Sequence, residues 1–245
     1  MINLTDLILI VDNVLSDAEC EFLISVFEER ESNPDMPYQL KSYREQCFES
    51  NSNEVRESTV DIQTLLPQTD PFFLANRGTD TMIKHYKEYI DKLDYFWTHA
   101  LIADLAYSHK YRLMKYGIGQ SIHDHVDKNP STYGSCTLAL NDGYQGGKFR
   151  FFKGNYTVDL KKGQGMIFPA DYFFVHGVEP ITQGYRYSVN SFLGAAECVL
   201  DASQEPTSLR EPGSDISDYR HASAVESVEL IKGAVNESEG RGYSS

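Results

Sequence analysis

The 245-residue chain has little positive charge. It carries 22 Lys and Arg against 36 Asp and Glu, a formal net charge of −14. Nucleic acids and anionic membrane surfaces are polyanions, so this balance excludes broad binding to either. The sequence has no run of about 20 apolar residues, and so no candidate for a bilayer-spanning helix. Its first residues, Met-Ile-Asn-Leu-Thr-Asp, lack the basic region that opens a signal peptide. Only four cysteines occur, Cys20, Cys47, Cys136 and Cys198. They lie far apart and form no paired-cysteine metal motif, which excludes a zinc ribbon and argues against a disulfide scaffold. A reducing cytoplasm is the expected location. Core material is not lacking. At 41% hydrophobic and 12% aromatic residues, the chain can bury a sizeable interior.

The apolar run at residues 7–11 is too short for a helix and is expected to be a buried strand. Ser16 and Glu19 then form a capping box, and the helix they open places Phe22, Leu23, Val26 and Phe27 on one face. Residues 31–75 are polar and interrupted by Pro34, Pro37, Pro67 and Pro71, and are expected to be a long excursion that serves as a lid or binding loop. A second helix is expected from near Thr79 or Asp80, because Met82, Tyr86, Ile90, Leu93, Trp97, Ala100, Leu101 and Leu105 recur at helical spacing. His85, His99 and His109 lie in or beside it with no partner at ligand spacing, and are expected to be ordinary helix or helix-end residues.

From about Tyr111 the hydrophobic period falls to two. Turn signals at Gly117, Gly119, Gly143, Gly146, Gly147, Gly163, Gly177 and Gly184 separate roughly eight short strands, the pattern of a β-sandwich or barrel. Residues 201–245 turn acidic and serine-rich with almost no aromatics, and are expected to be a disordered tail. The division is thus a folded domain at 1–200, with helical and loop support at 1–110 and a β core at 111–194, followed by the tail.

The most informative stretch is residues 116–127, Tyr-Gly-Ile-Gly-Gln-Ser-Ile-His-Asp-His-Val-Asp. On a strand, His123, His125 and Asp127 alternate onto one face. A His and a carboxylate two residues apart can reach the same ion. One further imidazole from a distant strand completes a triad of two histidines and one carboxylate, which leaves open positions and suits Fe(II). His176, in an apolar run bounded by turn signals, is the remaining candidate. Ten residues later stands Arg186, alone in an otherwise apolar strand. Burying it without an anion is costly, and its guanidinium can grip a carboxylate through two parallel hydrogen bonds. Ser188 alternates onto the same face. A metal beside a carboxylate clamp implies a small dicarboxylate or keto acid.

Four motifs carry a resemblance. They are Tyr116-x-x-Gly119-Gln120-x-x-x-x-His125-x-Asp127, Leu140-Asn141-Asp142-x-Tyr144-x-Gly146-Gly147, Gly163-x-Gly165-x-x-x-Phe168-Pro169, and His176-Gly177-Val178-Glu179-Pro180-x-Thr182-x-Gly184-x-Arg186. As a set, over residues 7–194, they resemble the prolyl 4-hydroxylase-like branch of the Fe(II)- and 2-oxoglutarate-dependent dioxygenases. The resemblance implies a mainly β fold with flanking helices, a double-stranded β-helix or jelly roll of about eight strands. It implies His125, Asp127 and His176 as iron ligands, Arg186 as the partner of the distal 2-oxoglutarate carboxylate, and Tyr116 as a hydrogen-bonding neighbour of that cosubstrate. It further implies O₂ as co-reactant, ascorbate as reductant, and hydroxylation with release of succinate and CO₂. No residue beyond the metal site is assigned to catalysis. The leading substrate is a prolyl residue of a peptide or protein, with a free amino acid or small metabolite as the alternative. Ala139 and Phe192 stand where some relatives carry tyrosine and tryptophan. Two rival readings are a zinc hydrolase of the metallo-β-lactamase type, which would use His123 and wants a histidine where Lys128 stands, and a non-catalytic jelly-roll binding module.

Overall fold

The computed structural model describes residues 3–36, 38–47, 52–62, 70–93, 105, 107–128 and 132–194. A 3-10 turn at Leu4–Leu7 leads into β1 (Leu9–Val11). This strand stands at the end of its sheet, with Ile10 37% exposed, and is not the buried strand expected from the apolar run. Helix α1 (Asp17–Ser32) starts at the expected capping box: Ser16 Oγ accepts from the Glu19 N–H, and Glu19 Oε2 accepts from the Ser16 N–H at 2.9 Å. Cys20, Leu23, Val26 and Phe27 are its buried face. Phe22, expected in that stripe, falls beside it and is exposed.

The stretch at 31–75 departs furthest from its expected form. It contains β2 (Gln39–Cys47) and β3 (Ser52–Asp61), an antiparallel pair that extends the main sheet beyond β4 (Tyr107–Tyr116). Backbone ladders build such an edge extension, so it needs few apolar side chains, and charged residues on an edge discourage further pairing. Helix α2 (Asp70–Leu93) begins well before Thr79. Pro71 lies in its first turn, where a missing N–H costs nothing. His85 is an exposed helix residue, whereas His109 belongs to β4 and not to a helix end. Leu105 is buried outside any helix. His99, Trp97, Ala100, Leu101 and the acidic tail at 201–245 lie outside the described residues.

The remaining strands are β5 (Ile122–His125), β6 (Gly134–Ala139), β7 (Gln145–Gly146), β8 (Phe149–Phe151), β9 (Tyr156–Val158), β10 (Gly165–Pro169), β11 (His176–Val178), β12 (Ile181–Gln183) and β13 (Arg186–Gly194). They form a seven-stranded sheet in the order β1-β10-β6-β13-β4-β3-β2, a four-stranded sheet β5-β11-β8-β9, and the short pair β12-β7. The main sheet is therefore the middle layer, with helices on one face and the smaller sheet on the other.

Two cores follow from strand alternation. On the helix side, Tyr111, Leu113, Leu138, Tyr187, Val189 and Leu193 pack against α1 and α2. On the other side, Met114, Tyr116, Phe149, Phe151, Phe168 and Val178 fill the space between sheets. Each fully buried apolar side chain of this kind contributes about 1.5–3 kcal/mol relative to its exposed state. Polar contacts fix how the helices sit: Tyr86 donates to the Leu7 carbonyl at 2.8 Å, and Thr79 Oγ1 lies 3.2 Å from Ser191 Oγ. Cys20 and Cys136 are free and buried, and burial pushes the Cys136 thiol up to about 12, which keeps it unreactive.

Candidate metal centre

Antiparallel pairing of β5 with β11 sets His125 directly across from His176. Their rings lie 4.4 Å apart between centroids. Strand β5 ends at His125, and Asp127 follows in the next turn. From there it reaches both imidazoles: Oδ1 lies 3.4 Å from His125 Nε2, and Oδ2 lies 3.3 Å from His176 Nε2. One ligand atom from each of the three falls within 4.8 Å of the others.

The local backbone aims these atoms. His125 Nδ1 lies 2.8 Å from the His123 carbonyl, and His176 Nδ1 lies 3.0 Å from the Phe174 carbonyl. A carbonyl can only accept, so each Nδ1 carries a proton and each Nε2 is the ring nitrogen turned to the centre. Ser135 of β6 donates to Asp127 Oδ2 at 2.6 Å. Burial alone would raise the Asp127 pKa, but the two imidazoles and the Ser135 hydroxyl outweigh it and hold the carboxyl below the usual carboxylate range. The result is one carboxylate and two imidazole nitrogens, a donor set that suits a divalent transition metal.

His123 does not join them. It was expected on the same face as His125 and Asp127, and it shares β5 with His125, but its ring is exposed and is not among the three that converge. What it contributes is the carbonyl that orients His125.

A cavity of about 160 Å³ opens over the triad. Met114, Ile122, Phe149, Val178 and Phe192 give it apolar walls, and Tyr116, Arg112 and Asn190 add polar groups. Arg186 is 2% exposed. Its guanidinium carbon sits 4.7 Å from the Phe149 ring centroid and 5.1 Å from that of Tyr116, its neighbour across the strand pair. Its Nη2 is buried with no hydrogen-bond partner. A buried, unsatisfied guanidinium nitrogen beside a cavity is the vacancy a ligand carboxylate fits. Arg186 does not itself line the cavity. It stands behind Tyr116 and Phe149, which do.

Gly147 makes room for it: at φ +67°, an added Cβ would lie 2.4 Å from Ile181 Cδ1 and 3.2 Å from Arg186 Cδ. Ser188, expected on the Arg186 face, is fully buried and donates to Asn190 Oδ1 at 3.5 Å, away from the cavity lining. Ala139, across from Ser188, packs in the core between the sheets.

Sequence reasoning missed Ser135, Arg112 and Asn190. For the last two the signal was present, since Arg112 alternates with Met114 and Tyr116, and Asn190 with Arg186 and Ser188. Ser135 carried none, because its role follows from which strands pair with β6. A larger open groove of about 610 Å³ runs past Ser16, Arg77 and Lys162 on the helix side. Its charges are already paired, Arg77 with Glu19 at 2.8 Å and Lys162 with Glu21 at 2.9 Å, so it offers no comparable chemistry.

Residues 111–194 match the 2OG-Fe(II) oxygenase superfamily. No curated protein matches the chain in sequence. Among solved structures, a viral collagen prolyl hydroxylase from Paramecium Bursaria Chlorella virus-1, solved with 2OG, superposes with a TM-score of 0.53 at 15% identity, covering 77% of this chain and 96% of that one. A Pseudomonas putida prolyl-4-hydroxylase gives 0.53 at 15%, covering 77% and 92%. A Trichoplax adhaerens prolyl hydroxylase, in complex with a hypoxia inducible factor oxygen degradation domain peptide fragment, gives 0.56 at 14%, covering 81% and 88%. The fold is the double-stranded β-helix, as the strand pattern and motifs implied. Among the described residues no helix is long and apolar enough to cross a membrane.

Proposed function

We propose, from the match of residues 111–194 to the 2OG-Fe(II) oxygenase superfamily, a hydroxylase whose iron is held by His125, Asp127 and His176. The observation that carries the reading is the convergence of two backbone-oriented Nε2 atoms on one ionised carboxylate at the cavity floor. Arg186 would bind the distal carboxylate of 2-oxoglutarate through its unsatisfied Nη2, and Tyr116, whose ring lies against the Arg186 guanidinium, would hydrogen-bond that cosubstrate. When bound, Fe(II) with 2-oxoglutarate and O₂ supplies the oxidising chemistry, in which decarboxylation to succinate and CO₂ is coupled to hydroxylation of a C–H bond.

The chain's own residues set the conditions. The carbonyls of His123 and Phe174 hold the two imidazoles in the ligating tautomer. Ser135 fixes one oxygen of Asp127, which stays charged despite its burial. Met114, Ile122, Phe149, Val178 and Phe192 keep water from the reacting carbon. Asp127 would supply the carboxylate donor where a smaller residue would make room for a halide, which favours hydroxylation. Ascorbate serves as the reductant that keeps the iron ferrous.

The substrate is a prolyl residue of a peptide or protein. Three similar folds are prolyl hydroxylases, and one of them is complexed with a peptide. The cavity over the triad, at about 160 Å³, is smaller than the few hundred Å³ of common ligand pockets. The test is incubation of the iron-loaded protein with 2-oxoglutarate and libraries of proline-bearing peptides, free amino acids and small acids. Succinate release is scored beside a mass gain of one oxygen. Turnover that persists with iron rigorously removed would sink the iron assignment. Hydroxylation of free proline but of no peptide would overturn the peptide assignment alone.

A further inference from the structure

His125 ends a weakly held piece of backbone. Strand β5 has four residues and stands at the edge of its sheet, paired among the described residues with β11 alone. That pairing is interrupted. His125 stands across from His176 and Ile122 across from Val178, so His123 and Asp124 together oppose the single residue Gly177. Two residues against one is a β-bulge, which breaks the ladder locally and lets the strand bend. It falls immediately before the metal ligand.

The outer face of the sheet supplies a second restraint. Arg150 of β8 pairs with Gly177 of β11. Its Nε donates to Asp124 Oδ1 at 2.7 Å, so the ion pair passes over β11 and ties the edge strand to the strand beyond. Glycine leaves the passage open. A Cβ at 177 would lie 3.0 Å from Asp124 Oδ1, 3.1 Å from Arg150 Nε and 2.7 Å from the Ile122 carbonyl oxygen. Each outer residue is the chain neighbour of an inner one: Asp124 precedes His125, Gly177 follows His176, and Arg150 precedes Phe151. The inner three are paired in one row, with the His176 ring 4.4 Å from His125 and 5.6 Å from Phe151 between centroids. Neither Asp124 nor Arg150 lines the cavity. Their side chains are 32% and 27% exposed, and an ion pair that exposed adds little to overall stability. What it can do is fix a spacing.

We propose that Asp124 and Arg150 are positioning residues, whose ion pair clamps the bulged edge strand across β11 and so sets the spacing of His125 and His176 around the metal. This rests on the triad being the metal site, and it adds a device on the far side of the sheet. A simple field effect predicts a different sign. Arg150 is a cation, so if only charge mattered, removing it would tighten the binding of a metal cation. If the pair holds β5 in place, losing either partner weakens binding. An effect passed through the pair is bounded by what the pair contributes, about fivefold in affinity at this exposure.

The experiment loads the full chain with Co(II), a neighbour of Fe(II) among the divalent metals whose visible absorption reports ligand geometry. Affinity is read by chelator competition, geometry by the Co(II) spectrum, and folding by the melting temperature of the metal-free protein. Asp124→Asn and Arg150→Gln are each expected to weaken Co(II) binding by about three- to fivefold and to alter the spectrum in the same way. The metal-free melting temperature should stay within about 4 °C of wild type in both. The double variant should bind no more weakly than the weaker single one, because the pair is already broken. Arg150→Lys keeps a cationic donor within reach of Asp124 and should restore most of the affinity. If wild type itself fails to bind Co(II), the metal-site reading falls, and this proposal with it. If wild type binds, and Arg150→Gln keeps or gains affinity or leaves the spectrum unchanged, only the clamp is overturned.

Discussion

Ser135 Oγ donates to Asp127 Oδ2 at 2.6 Å, and the same carboxylate oxygen lies 3.3 Å from His176 Nε2. One hydroxyl thus fixes the oxygen that faces the more buried histidine. Removing it with Ser135→Ala leaves the three ligand types in place but lets Asp127 rotate. Metal affinity is expected to fall by about 10–100-fold, the usual cost of losing such an orienting bond. Competition titration with a chelator reads this, and Ser135→Thr should restore most of it.

Arg186→Ala is expected to raise the 2-oxoglutarate concentration for half-maximal succinate release by at least about tenfold, because a buried charge-assisted pair is worth about 2–5 kcal/mol. Arg186→Lys should be milder, since it keeps the charge and loses only the fork. A wild-type titration curve from the Ala variant would remove 2-oxoglutarate from this end of the cavity.

The unsatisfied Nη2 of Arg186 also has a consequence for stability. A buried donor without a partner costs about 1–3 kcal/mol. Arg186→Met should therefore melt at or above the wild-type temperature without ligand. Wild type should gain stability when 2-oxoglutarate and metal are added together, and the Met variant should not gain from 2-oxoglutarate. Equal stabilisation of both proteins would contradict the assignment.

Gly147→Ala places a methyl against Ile181 and Arg186 at a positive φ. Backbone strain alone costs about 1 kcal/mol or more there, read as a lower denaturation midpoint. The displaced Arg186 should also weaken 2-oxoglutarate binding. A variant that loses stability yet binds the cosubstrate normally would show that Gly147 serves the turn only.

Away from the site, Glu19 caps α1 and pairs with Arg77 of α2 at 2.8 Å. The Arg77 hydrogen bond and the Ser16 backbone N–H hold its carboxyl down at about 2. A depressed folded-state pKa gives stability that is present above the unfolded value, about 4.3 for Glu. It is lost as pH falls from there toward 2. Glu19→Gln should thus be less stable than wild type at neutral pH, and the gap should close through that window. Denaturation midpoints measured across it check the sign. A gap that widens on acidification would refute it.

Much of the β core was legible because period-two alternation and glycine turns are local properties. The alternation from Tyr111 onward marks real strands, and the His-x-Asp spacing with a distant His176 names the three residues that meet. Residues 31–75 misled because strands on a sheet edge need no apolar pattern, so composition alone could not separate β2 and β3 from a loop. Pro71 read as punctuation, although the first turn of a helix accepts it. His123 misled for a different reason: it alternates with His125 inside β5, yet only its carbonyl reaches that histidine and its ring stays exposed. Ser135 and the Arg112–Asn190 pair depend on which strands become neighbours, a property of the assembled sheet rather than of any one segment.

The alternation within β13 constrains how this protein can change. Tyr187, Val189, Ser191 and Leu193 serve the helices, while Arg186, Ser188, Asn190 and Phe192 serve the site side. The two sets are interleaved, so inserting or deleting one residue inside the strand would swap them, turning the arginine toward a hydrocarbon layer and a valine toward the His125–Asp127–His176 triad. Length variation is constrained between Arg186 and Asn190, where the register with β4 is regular, whereas the irregularity between Asn190 and Phe192 shows that the pairing can absorb a bulge there. New substrate preferences must come by exchanging side chains at positions such as 190 and 192, or by remodelling the hairpin outside the strand. Descendants of this sequence can diverge in what the cavity holds while the spacing from Arg186 to Asn190 stays fixed.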